Sequence, residues 1–126
     1  MAIDGVKIID SDTGYDIYNY VIGSYKDGMS ADKIVETMLA EEKDYCIDNF
    51  YSEIYWTALA YSLWKIGYLP DDVKEKTIGI IKKGADEFWL EIDSNALKQR
   101  QKNLDKLAIQ LENENPKPSR YQSQRL

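Results

Sequence analysis

The sequence predicts an all-α fold: a compact single-domain bundle of five to six helices around a central apolar helix at about residues 52–67. Three observations carry this. Apolar residues recur at helical spacing in five separate stretches. The three prolines, Pro70, Pro116 and Pro118, all lie outside those stretches. The one strand candidate, Val6 to Ile9, is short and terminal.

Ser11 or Asp12 can cap a first helix that runs to about Asp27, with Gly28 as its stop. Ile17, Tyr18, Val21, Ile22 and Tyr25 fall on one face of it. Ser30 caps a second helix, in which Ala31, Ile34, Val35, Met38 and Leu39 repeat the spacing. That helix should fray near Asp44, and Asp48-Asn49 then reads as a turn. Ser52 begins the third helix. Its residues Ile54 to Trp64 leave almost no polar face, which places it at the centre of the domain. Gly67 is its C-cap. Pro70-Asp71-Asp72 opens a fourth helix, because proline suits the first turn and acids there favour the helix dipole. Val73, Thr77, Ile80 and Ile81 form its inner stripe, and Gly84 ends it. Residues 85–92 read as a short helical segment with Phe88 and Trp89. Ser94 then caps a last helix with the stripe Leu97, Leu104, Leu107, Ala108 and Leu111. The helical domain is thus expected over 1–113, and 114–126 as a polar, disordered tail.

With 126 residues, 44% hydrophobic and 12% aromatic, the chain is large enough for one real core and too apolar for global disorder. Its net charge of −6 is unevenly spread. Residues 1–53 hold twelve acids against four lysines, and six of the ten tyrosines. Residues 54–115 hold ten acids against nine bases, and 116–126 hold three bases and no acid. An acidic body argues against nucleic-acid phosphates and anionic membrane surfaces. No apolar run approaches the ~20 residues of a membrane helix. The N-terminus has no basic segment followed by an apolar one, so no secretory signal is expected. Cys46 is the only cysteine, which precludes an internal disulfide. These features together predict a cytoplasmic protein.

Histidine is absent, and with it the commonest general base and metal ligand. The seven glycines are scattered and none begins a phosphate-binding loop. Cys46, beside Ile47 and with no base near it in sequence, reads as a small buried hydrophobe. Asp12 and Asp16 would share a helix face, a weak acid/base or metal pair. Capping and dipole satisfaction explain acids at that position more simply. Glu41, Glu42 and Asp44 read as a solvated face. Trp56 and Trp64 face roughly one way and could line an aromatic pocket, but Leu59, Ala60 and Leu63 share that face and favour core packing. Trp89 seals the domain. Neither a catalytic residue, a metal nor a cofactor is expected.

The chain resembles a small uncharacterised bacterial all-helical family. The residues that carry this are Ser11-Asp12-Thr13 followed by Asp16-Ile17-Tyr18, then Trp56-Thr57-Ala58-Leu59-Ala60 with Trp64, and then Gly67-Tyr68-Leu69. Gly84-Ala85-Asp86, Trp89, and Arg100 with Leu104 fit as well, so the likeness spans about residues 10–111. The family commonly begins with a Gly-x-Trp-Gly-x-Gly-like segment, which this chain lacks, having only Gly5 before Asp10. In size, acidity and cytoplasmic character the family resembles toxin-immunity proteins, which implies a fold and a partner rather than an activity.

The expected function is therefore that of an immunity protein, not an enzyme. It would neutralise a cognate toxin domain with a basic surface, most simply a nuclease, through an acidic Tyr-rich surface. Asp44, Tyr45, Asp48, Tyr51, Glu53 and Tyr55 are the expected partner-binding residues, with Asp12 and Asp16 as a second patch. The alternatives are a carboxylate-using hydrolase or small-ligand protein near Asp12, Asp16 and the Trp56–Trp64 face, and a phage- or plasmid-borne regulatory adaptor.

Overall fold

The apolar stripes fold into five α-helices among residues 7–113, which are the residues that the computed structural model describes. They are α1 (Asp12–Lys26), α2 (Ala31–Tyr45), α3 (Asn49–Lys65), α4 (Asp71–Lys83) and α5 (Ala96–Glu112), with a 3₁₀ turn at Glu87–Glu91 between the last two. No strand forms among the described residues. Lys7 to Asp10 make a turn, closed by the Asp10 N–H donating to the Lys7 carbonyl at 3.3 Å, and Ile8 and Ile9 pack on the core. The tail expected at 114–126 lies outside the described residues.

α3 is the centre of the bundle and packs against α1, α2, α4 and α5. Its sequence is rich in Tyr, Trp, Ile and Thr, which are mediocre helix formers. Propensity differences of up to about 0.7 kcal/mol per residue are outweighed by about 1.5–3 kcal/mol for each large side chain fully buried. Ile54, Leu59 and Leu63 are buried to 1% exposure or less, so tertiary packing holds this helix. Tyr55, also fully buried, satisfies its hydroxyl by donating to the Met38 carbonyl of α2.

The caps explain where elements begin and end. Ser11, rather than Asp12, caps α1: its Oγ accepts the Gly14 N–H at 2.9 Å. α1 and α3 end in the same way. Gly28 (φ 101°) and Gly67 (φ 78°) take the left-handed conformation, and the next N–H reaches back to Ser24 and to Leu63 respectively. α3 starts earlier than Ser52. Asp48 is not a turn residue but the N-cap, its Oδ1 accepting the Tyr51 N–H at 2.9 Å. α5 is preceded by Asn95 rather than capped by Ser94. No helix among the described residues is long and apolar enough to cross a membrane.

Candidate partner-binding surface

Helix pairing decides which of the expected residues meet. Asp12 and Asp16 stand one turn apart on the exposed start of α1, with the exposed Tyr15 between them. Glu41 and Asp44 are exposed on the last turns of α2. The fold brings these ends together around Tyr45, whose half-buried ring packs at 5.3 Å from that of Tyr55. Burial, and then the charges of Glu41, Asp16 and Asp44, push the Tyr45 phenol above its ordinary range. Asp16 of α1 and Glu41 and Asp44 of α2 thus stand at exposed positions close enough to Tyr45 for their charges to act on it.

The chain then turns through Cys46, Ile47 and Asp48 into α3. Cys46 is partly buried against the core, and that burial raises its thiol pKa despite an opposing hydrogen bond from Ser52. Ile47 is 70% exposed. Asp48 is exposed with one carboxylate oxygen committed to capping, and Tyr51 packs edge-on against Phe50 at 5.7 Å.

Two expected partner residues are not on the surface. Tyr55 and Glu53 are buried, at 0% and 2% exposure, because α3 is enclosed on nearly every side: Glu53 faces Arg100 of α5 and the 3₁₀ turn, and Tyr55 faces α2. Neither can touch a partner in this fold. The tyrosine-rich surface shrinks accordingly: of the tyrosines in residues 7–53 only Tyr15 is largely exposed, and the others are half-buried.

Glu53 is instead the hub of a buried polar network. Its Oε2 accepts from Arg100 Nε of α5 at 2.7 Å and from Trp89 Nε1 at 2.9 Å. Its Oε1 accepts the Asp86 N–H at 2.9 Å. Arg100 stacks its guanidinium 4.6 Å from the Trp89 ring and donates to Thr57 Oγ1 and to the Lys7 carbonyl. Burial pulls the Arg100 pKa down, and Glu53 opposes that by favouring the charged form. Both carboxylate oxygens are committed to donors, so this charge pair is a clamp. It ties the 3₁₀ turn and the Lys7 turn to α3 and α5.

The tryptophans are structural as well. Trp56 is buried edge-on to Tyr55, and Trp64 donates to the Asn113 carbonyl at 2.7 Å. Trp89 is buried with Phe50, Ile54 and Ala96 in a small second core. A polar cleft of about 280 Å³ opens beside that core, between Asn49 and Ser52 of α3 and Lys83 to Glu87. No group of three or more acidic or cysteine side chains with metal-holding geometry occurs among the described residues.

No family model, curated protein or solved structure matches this chain. The structure itself shows a small all-helical domain with Asp12, Asp16, Glu41 and Asp44 exposed on α1 and α2.

Proposed function

We propose that the chain is an immunity-type inhibitor that binds and neutralises a basic bacterial toxin domain, with a nuclease as the expected class, in the cytoplasm. One observation carries this reading. Asp16, Glu41 and Asp44 come from two helices to surround Tyr45, and none of the three is engaged in an ion pair among the described residues. Like charges gathered at one place cost stability unless a partner of opposite sign answers them. They also speed encounter with a cationic cleft. A nuclease presents such a cleft, because it must hold phosphates. A hydrolase reading near Asp12, Asp16 and the Trp56–Trp64 face is less well served: Trp56 is packed into the core and the Trp64 indole donates to the Asn113 carbonyl.

The test is capture from the native host through an N-terminal tag, run beside the charge-reversed Asp16→Lys/Asp44→Lys protein. The expected result is a single basic domain in equimolar amount with the parent protein and its loss from the variant, with the melting temperature of the variant no lower than the parent's. A partner retained equally by both proteins, or none with either, would overturn the reading.

A further inference from the structure

Between α4 and α5 the chain reads Asp86-Glu87-Phe88-Trp89-Leu90-Glu91-Ile92-Asp93. Only Trp89 of its four apolar residues is buried. Phe88, Leu90 and Ile92 are 50%, 51% and 39% exposed. Single exposed apolar residues are ordinary, but three within five positions of one short turn concentrate apolar surface there. The patch is held rigid from beneath. Asp86 Oδ1 accepts the Phe88 N–H at 2.9 Å, the Asp86 N–H and the Trp89 indole both end on Glu53, and Phe88 packs 4.6 Å from Phe50. A surface ordered in advance pays little conformational entropy when it binds.

Its charge selects the occupant. From Ala85 to Leu97 the chain carries Asp86, Glu87, Glu91 and Asp93 and no lysine or arginine, and these acids outnumber Lys83, which shares a cleft with Asp86 and Glu87. An apolar centre edged by acids repels phosphates and anionic bilayers, and fits apolar side chains flanked by cations. We infer that residues 86–93 form a docking site for a protein segment whose apolar anchors are flanked by Lys or Arg. This rests on reading the chain as a binder of a basic protein, and it gives that partner a hydrophobic anchor besides Tyr15 and Ile47 near the Asp16–Asp44 face. The two surfaces lie at the same end of the bundle. Phe50, which touches Phe88, stands in the first turn of α3, just after the exposed Ile47 and Asp48.

The probe is a phage-displayed library of random peptides, panned on the full chain and counter-selected on Phe88→Ala/Leu90→Ala/Ile92→Ala. The enriched peptides should combine aromatic or aliphatic residues with Lys or Arg. They should bind the triple variant about tenfold more weakly or worse, as loss of central anchors does elsewhere. Glu87→Lys/Glu91→Lys/Asp93→Lys alters only exposed side chains and should abolish the same binding even if the alanine variant folds poorly. Peptides without cations, or binding that survives both variants, would overturn the inference. So would a concentration-dependent dimer of the parent chain that the triple variant loses, which would assign the patch to a second copy. The Asp16→Lys/Asp44→Lys protein separates the two claims. Peptide binding retained there, with no basic partner captured from the host by the parent chain, would sink the proposed function and leave this docking site standing.

Discussion

At the scale of single residues, Glu53 and Arg100 set the most sensitive point of the structure. Both are almost wholly buried, at 2% and 1% exposure, and each answers the other's charge. Removing one member of such a pair leaves an uncompensated buried charge and costs about 3–5 kcal/mol. Glu53→Ala should therefore lower stability in urea denaturation by about that amount, and it should free the 3₁₀ turn first, because Asp86 and Trp89 lose their acceptor. Tyr55 supplies a pH-dependence. Burial raises its pKa well above the ordinary 10.0. Above that pH the unfolded chain gives up a phenolic proton that the native state keeps, so the unfolded state binds fewer protons and stability falls as pH rises. Denaturation midpoints should be flat with respect to this group up to about pH 10 and decline beyond it, with the Tyr55 phenolate absorbance appearing only on unfolding. The roles of Glu53 and Tyr55 were only half legible in the sequence. Acids and tyrosines beside a predicted loop read as surface, yet both stand in a helix that is apolar nearly all round. Arg100 lies on the α5 stripe, three residues after Leu97 and four before Leu104, and that position was the signal that a buried acid must face it.

At the scale of elements, glycines distinguish loose packing from tight. Gly23 in α1 and Gly79 in α4 have nothing within 4 Å of where a Cβ would stand. Alanine at either should stabilise by roughly 0.5–1 kcal/mol through helix propensity and reduced unfolded-state entropy. Gly14 is the opposite case. A Cβ there would meet Ser11 Oγ at 3.0 Å and the Ile8 carbonyl at 3.1 Å, so Gly14→Ala should destabilise by prying the Lys7 turn from α1. Thermal melts of the three variants check both signs. The periodic helices α2 and α4 were readable because their caps, Ser30 and Gly84, border clean stripes. α3 was misplaced at its start because Asp48 caps with its side chain, and a capping aspartate and a turn aspartate look alike in sequence. The short helical segment expected at 85–92 is a 3₁₀ helix at Glu87–Glu91, anchored by the Trp89 indole on Glu53, a partner distant in sequence.

At the scale of the molecule, charge and apolar exposure gather where the chain passes from α2 to α3 and where the 3₁₀ turn packs. The charge gradient along the sequence pointed to an acidic surface. It could not show that Asp16 and Asp44 both lie near Tyr45, because that depends on how α1 and α2 lie together on α3. Binding led by exposed charge must weaken as salt screens it, over a distance of about 10 Å at 0.1 M ionic strength. The central claim is that this acidic end grips a basic protein. Titration calorimetry of the captured partner domain, against the parent chain and Asp16→Lys/Asp44→Lys at equal ionic strength, tests it most directly. The account predicts an affinity at least about tenfold weaker for the variant, a change of about 1.4 kcal/mol or more. Equal affinity for the two proteins would contradict it.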